Sequence, residues 1–503
     1  MAKLYVFGIG GTGARVVKSL IMLLASGIKT KFDIVPILID PDRAGGDKNR
    51  TEKILKDYQN IHKELKGFEH SHFFSNEVST LSQVMVNKGS NGNNIDSFSY
   101  EIDGVQNGRF KDFIDFSNLD TNNRSLASLL FSDRNLNSDL EVGFKGNPNI
   151  GSIVLNQFTK SEAFQSFADS FDRDDRIFIV SSIFGGTGAA GFPLLLKNIR
   201  NGFVNGKFYS HLQNSIIGAI TVQPYFKVKQ DDDSEIDSHG FITKTKAALH
   251  YYFKNVTGNN TINALYYLGD LADNTYDNHE GGVDQKNDAH FVEVASALAI
   301  VDFSNTDKSY IPTINGKAER PIYKEFGIKN NLPQIGFNDL AIETKDIIAQ
   351  RLSEFFYFNL FTKDKLQSEL AHPYASAYTN KFDANYFNQT YFKHLSDFNN
   401  SFRIWLAELS RNKVSFSPFD IRPQVGRSNE ITDFITGTSS IFNLVRSVPE
   451  RRNLINILAK NNYELFIEHL NKAAEKVGNA PTNKRFMGVF SRATQSLVKQ
   501  KLF

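Results

Sequence analysis

The stretch Phe184-Gly185-Gly186-Thr187-Gly188-Ala189-Ala190-Gly191 constrains this chain more than any other. An apolar run from Arg176 to Ile183 leads into it, and a run of helical character from Phe192 to Ile199 leaves it. Strand, glycine loop and helix in that order bring free backbone N–H groups and a positive dipole end to one point, which suits a phosphate. Glycines let the backbone approach an anion with no side chain in the way, and Thr187 adds a hydroxyl donor. The N-terminus repeats the arrangement. Leu4 to Phe7 reads as a strand, Gly8-Ile9-Gly10-Gly11-Thr12-Gly13 as the loop, and Ala14 to Ile21 as the start of a helix. Two such units, about 175 residues apart, predict an α/β fold with a Rossmann-like parallel sheet.

The first loop by itself, with Asp40 at the end of the next strand (Phe32 to Ile39), matches a dinucleotide fingerprint. That reading gives an NAD- or FAD-binding oxidoreductase and leaves Gly185 to Gly191 without a role. The pair of loops, in this order and with these flanks, resembles the tubulin/FtsZ superfamily of GTP-binding, filament-forming proteins. The resemblance covers roughly residues 1–305 and is nearest to the divergent bacterial tubulin-like proteins. It implies that Gly8, Gly10, Gly11, Thr12 and Gly13, with Gly185, Gly186, Thr187, Gly188 and Ala189, wrap the phosphates of GTP or GDP with Mg²⁺. It also sets Asp40 and Asp42 beside nucleotide and metal; an ordinary turn with Asp capping a helix is the other reading. A third loop, with Gly143, Gly146, Asn147 and Gly151, is implied around the terminal phosphate, and a plain turn is its alternative. Gln223-Pro224-Tyr225-Phe226 resembles the family's strand-end segment near the ribose.

Residues 285–303 are apolar almost all round and predict a buried helix. In the family a long central helix stands here, and its first turn touches the purine. Asn287 is therefore the base-recognition candidate and Gln285 the second, with helix capping by Asn287 or Asp288 as the alternative. His290 is expected to be a packed core histidine. The family's acid just past this helix, which reaches the next subunit's nucleotide, has no clear counterpart. Asp307 is the substitute candidate for positioning water, which leaves GTPase activity open. The resulting division is a GTP-binding domain over 1–284 with an insertion at about 43–142, the central helix, a second α/β domain over 304–400 and a helical C-terminal extension over 401–503.

Within the insertion, Lys48 to Lys66 reads as an amphipathic helix and residues 87–108 as loop. The acidic run Asp231 to Glu235 reads as a solvated turn, since its spacing does not match an EF-hand. No G-x-x-x-x-G-K-[ST] occurs, which argues against a P-loop ATPase. Without cysteine, disulfides, thiolate zinc sites and cysteine nucleophiles are excluded. Lys plus Arg is 57 against 55 for Asp plus Glu, so net charge gives no case for nucleic acid. No apolar run reaches the roughly 18 residues of a membrane helix, and Met1 to Val6 lacks a signal-peptide pattern. A cytoplasmic protein without membrane contact is expected. Its expected partner is itself, in head-to-tail filaments. A tubulin-fold scaffold without turnover is the alternative. The last twenty residues carry Lys484, Arg485, Arg492, Lys499 and Lys501 and no acid, a basic tail that is solvated or hooks an acidic partner or another subunit.

Overall fold

A computed structural model describes residues 1–89, 97–100, 102, 105, 108–141, 143–144, 146–229, 238–270, 274–277, 282–326, 332–427, 429–438, 441–448, 451 and 462–503. The acidic run at 231–235, part of the loop at 87–108 and the apolar residues at 454–458 lie outside the described residues. The chain opens with β1 (Lys3–Ile9), α1 (Gly10–Ala25), β2 (Asp33–Ile39), α2 (Gly46–Leu65) and β3 (Ser99–Tyr100). It continues with α3 (Pro148–Leu155), α4 (Glu162–Ser170), β4 (Arg176–Ser182), α5 (Gly186–Asn201), β5 (Ile216–Val222), α6 (Ser238–Tyr252) and β6 (Ala264–Leu268). Then come α7 (Phe291–Asn305), β7 (Ile322–Phe326), α8 (Ile342–Asp364), α9 (Thr390–Arg411), β8 (Ile421–Val425), β9 (Ile431–Thr436), α10 (Asn462–Val477) and α11 (Thr482–Lys501).

One seven-stranded sheet organises these elements, in the order β3-β2-β1-β4-β5-β6-β7. Every pairing in it is parallel. Parallel strands need both faces covered, and their continuous apolar sequences reflect this. Successive side chains point to opposite faces. Leu4 and Val6 of β1 enter one core, and Tyr5, Phe7 and Ile9 enter the other. The first core collects α1, α7, α8, α9 and α11; the second collects α3, α4 and α5. This is the doubly wound α/β architecture that the two glycine units predict.

The C-terminal helices share the sheet's core. Helix α9 packs along α2, and the Trp405 indole, 1 % exposed, donates to Ser19 Oγ of α1 at 3.2 Å. Helix α8 carries Phe355-Phe356-Tyr357-Phe358, all buried, and Phe356 stacks on Phe419 with ring centroids 4.0 Å apart. Strand β7 lies beyond α7 and pairs with β6, so the sheet runs past the boundary at 304. An antiparallel hairpin, β8–β9, interrupts the helices after 401.

Two helices differ from expectation. The central helix α7 starts at Phe291, six residues later than the apolar run suggested. Its cap is His290, whose Nδ1 accepts from the Val292 N–H at 3.1 Å, while Glu293 Oε2 accepts from the His290 N–H at 3.2 Å. The preceding residues are held outside the helix by tertiary contacts: Arg50 Nη2 donates to the Asn287 carbonyl at 2.8 Å, and Arg411 pairs with Asp288. The stretch from Ile153 to Phe171 is also no single helix. It breaks between α3 and α4, where Ser161 Oγ accepts from the Phe164 N–H and starts α4 afresh.

Helix α1 leaves β1 through a close backbone approach. A Cβ on Gly13 would lie 2.5 Å from the carbonyl carbon of Gly8, and one on Gly8 would lie 2.9 Å from the Gly13 carbonyl oxygen. Gly13→Ala is therefore expected to lower stability by about 1–3 kcal/mol through overpacking. Urea denaturation should show the lower midpoint at unchanged m-value.

Candidate functional site

Strands β1 and β4 are neighbours at the centre of the sheet. From β1 the chain winds outward through β2 to β3, and after β4 it winds the other way through β5, β6 and β7. A ligand crevice forms at the carboxyl ends of the strands where the winding reverses. Both glycine loops open there. Helix α1 begins at Gly10 and α5 at Gly186, so two helix N-termini face one cleft. Neither helix has a side-chain cap or an acidic residue in its first turn. Their first N–H groups and positive dipole ends are thus left to a ligand, the standard requirement of an anion site. Gly10 has φ +70°, and a Cβ built on it would meet Thr187 Cβ at 3.5 Å, so the two loops lie close together.

The cleft is lined by Gly10, Gly11, Thr12, Asp40, Asp42, Gly146, Gly185, Gly186, Thr187, Gly188 and Asn287, with Gln285 and Gly143 beside them. Five other expected residues do not line the cleft. Gly8 and Gly13 serve the β1–α1 packing described above. Asn147 caps α3, its Oδ1 accepting from the N–H groups of Asn149 at 3.1 Å and Ile150 at 3.4 Å. Ala189 faces the neighbouring groove, and its carbonyl accepts from Tyr252 OH. Asp307 lies beyond the C-terminus of α7, near Arg176 at the start of β4. That is the opposite end of the sheet from the glycine loops. It is exposed, and its Oδ1 accepts from the Ser309 N–H at 2.8 Å. Gly151, proposed with the third loop, packs α3 on α5, where a Cβ would lie 2.9 Å from the Gly186 carbonyl oxygen.

Sequence reasoning missed Arg15. Its guanidinium is buried beneath the cleft and lines it. Nε donates to Glu293 Oε1 at 2.7 Å, Nη2 to Tyr225 OH at 2.7 Å and to Thr12 Oγ1 at 3.3 Å, and Nη1 pairs with Asp47. Tyr225 OH donates in turn to Glu293 Oε1 at 2.8 Å. Arg50 bridges Asp47 and Glu408 of α9, and Lys18 Nζ reaches Glu408 at 3.1 Å. Burial opposes charge on Arg15, yet Tyr225, Asp47 and Glu293 outweigh it and hold the guanidinium above its usual pKa. Burial likewise opposes charge on Glu408, but Lys18 and Arg50 pull its carboxyl down to about 2. The signal was present in α1. Arg15 and Lys18 sit in an otherwise apolar helix, and buried cations demand buried acids.

The acids around the cleft behave differently. Burial pushes the Asp40 carboxyl up to about 7. Asp42 is 3 % exposed; its Oδ2 accepts from the Gly282 N–H at 2.7 Å, while its buried Oδ1 has no hydrogen-bond partner among the described residues. Two carboxylates beside two helix N-termini repel an anion unless a cation lies between, and an orphaned buried oxygen is a fitting ligand for one. Phe184, Phe226 and Phe241 line the apolar wall. The enclosed part of the cleft holds about 150 Å³. Pockets that bury a whole small ligand run to ~300–1,000 Å³, so this one encloses part of a ligand and leaves the rest at its mouth.

No family model matches the chain, and no curated protein does. Among solved structures it is similar to CetZ2 from Haloferax volcanii in a GTPγS-bound protofilament, at 12% identity over 62% of this chain and 61% of that one, with a TM-score of 0.30. It is similar to TubZ from Bacillus thuringiensis serovar israelensis in a GTPγS-form protofilament, at 10% identity over 80% of this chain and 81% of that one, TM-score 0.30. A mutant FtsZ from M. jannaschii matches at 13% identity over 53% of this chain and 46% of that one, TM-score 0.27. The match spans less than two thirds of the CetZ2 chain. At these identities and scores the likenesses carry no functional conclusion.

Two outcomes test the site's electrostatics. Arg15→Met leaves Glu293, 0 % exposed, without its cation; the expected cost is about 3–5 kcal/mol in chemical denaturation. His290 is held down at about 4 by burial and by the charge of Arg15. Its unfolded form takes up a proton first as pH falls. Its contribution is therefore full above pH 6.5 and is lost toward pH 4, at no more than about 1.4 kcal/mol per pH unit. His290→Asn, which keeps a capping acceptor, should flatten the stability–pH slope in that window relative to the parent protein.

Proposed function

We propose that this protein is a tubulin/FtsZ-like guanine-nucleotide-binding protein that assembles head to tail, with nucleotide at the subunit interface. The observation that carries the reading is the meeting of two uncapped glycine-loop helix N-termini at the switch point of a parallel sheet. A dinucleotide enzyme requires one such loop and gives the second no role. Backbone N–H groups of Gly10, Gly11 and Thr12 on one side and Gly186, Thr187 and Gly188 on the other would cradle the phosphates, with the Thr12 and Thr187 hydroxyls as further donors. Gly143 and Gly146 close the third side. Asp40 and Asp42 would hold Mg²⁺, which supplies charge neutralisation across the phosphate oxygens when bound. Asn287 and Gln285 stand at the cleft where a base would leave the enclosed part.

Asp307 supports the head-to-tail arrangement. It lies at the sheet end opposite the glycine loops, so stacking would set it over a neighbour's cleft. That contact is heterologous and does not close. There it would position water for attack on the terminal phosphate. A scaffold of the same fold that binds nucleotide without turnover is the second reading, because Asp307 stands outside the family's acid pattern.

Denaturing the purified protein should release a guanine nucleotide, and titrations should show GTP binding well ahead of ATP and NAD. Thr187→Val removes a donor at the cradle and should weaken GTP binding by about tenfold. Sedimentation should require GTP, and Asp307→Ala should slow turnover in the pellet while leaving affinity unchanged. Release of NAD or flavin would sink the proposal. GTP binding with no turnover in the parent protein would select the scaffold.

A further inference from the structure

Helices α10 and α11 pack against each other, and α8 runs beside them. Between the three lies a groove of about 670 Å³ that the nucleotide reading leaves unused. Its walls follow from helical spacing. His469, Lys472, Ala473 and Lys476 recur at three- and four-residue steps on α10, and Arg492, Gln495, Ser496 and Lys499 do so on α11, so each set shares one face. The lining holds four full cations and no carboxylate. Lys472, Lys476 and Lys499 are exposed and have no ion-pair partner among the described residues. One donor atom in the lining, Arg492 Nε, is buried without a hydrogen-bond partner among the described residues. Buried donors left unpaired are costly and mark a place where an acceptor is wanted.

We infer that this groove docks a short acidic peptide segment of a partner protein. The face from His469 to Lys476 rises ~10 Å, which an extended chain covers in about three residues. Carboxylates on such a segment would reach the lysines of both walls. The Gln350, Gln495 and Gln500 amides lining the groove offer bonds to its backbone. The chemistry favours a peptide over other polyanions. No aromatic side chain lines the groove to stack a base. The chain's net charge of +2 supplies no broad field for a nucleic-acid backbone. A concave site without exposed aromatic or long aliphatic residues does not enter a lipid surface. The inference is independent of what the glycine cleft holds.

Fluorescence anisotropy of the full chain with a fluorescein-labelled deca-glutamate peptide tests it. Binding is expected at low ionic strength and should weaken steeply with added salt. Lys472→Glu with Lys499→Glu should weaken it by about tenfold or more. Lys197→Glu, an exposed control on α5, should change it by less than twofold. The charge-neutral pair Lys472→Gln and Lys499→Gln should fall between, and covers the case in which the reversal variant fails to fold. Equal binding by the reversal variant, or no binding by the parent, would overturn the inference. So would tighter binding of an oligothymidylate or of phosphatidylserine vesicles than of the peptide, if the same variants abolish it.

Discussion

The parallel pairing of β1 with β4 is the constraint on which everything else depends. It joins strands whose sequences lie about 175 residues apart. Each of these strands is followed within a few residues by a helix that begins on glycine. Pairing them side by side therefore puts two helix N-termini at one spot. Each end brings uncompensated N–H groups and about half a positive charge. Either unit alone makes an ordinary anion site. Together they make a cradle open on one side, and the acids after β2 and the loop before α3 close round it. The glycines divide the labour: Gly10, Gly11, Gly185 and Gly186 face the cleft, whereas Gly8 and Gly13 allow α1 to leave β1 at close range.

Beneath the cleft, reached through Arg15, lies a set of buried and half-buried charges. Arg15, Lys18 and Arg50 face Asp47, Glu293 and Glu408, and the set runs from the first glycine helix through α2 to α7 and α9. Such charges hold a fold only as a group, because removing one leaves a partner stranded in a medium that solvates it poorly. The same group holds the segment before α7 through the Asn287 carbonyl on Arg50. The residues at the mouth of the cleft are thus positioned by tertiary ion pairs and not by the helix that follows them.

Much of the fold was legible in the sequence for local reasons. Continuous apolar strands, glycine loops and helical stripes are each written within a dozen residues. The position of β1, β2, β4, β5 and β6 follows from them, as does the doubly wound class. Part of what escaped was set by contacts between distant residues. The start of α7 moved from 285 to 291 because Arg50 and Arg411, far away in sequence, compete for the groups that would have begun the helix. The long run from Ile153 is no single helix, because α3 ends at Leu155 and the Ser161 hydroxyl caps a new start for α4. The edge strand β7 was unreadable because a short exposed strand lacks the apolar continuity of a buried one.

By itself the sequence determined the site's chemical character: glycine where the backbone must come close, hydroxyls beside it, and carboxylates at the next strand's end. Those are properties of residue type and short spacing, which survive any arrangement. Only the tertiary structure decided which of these groups meet. It turned Asn147 into a helix cap and Ala189 toward a neighbouring groove. It sent Asp307 to the far end of the sheet, and it brought Arg15 under the cleft. The physical reason is that each polar group takes the nearest partner that packing presents. Which partner is nearest depends on strand order and helix docking, and these are settled by burying the two cores as a whole.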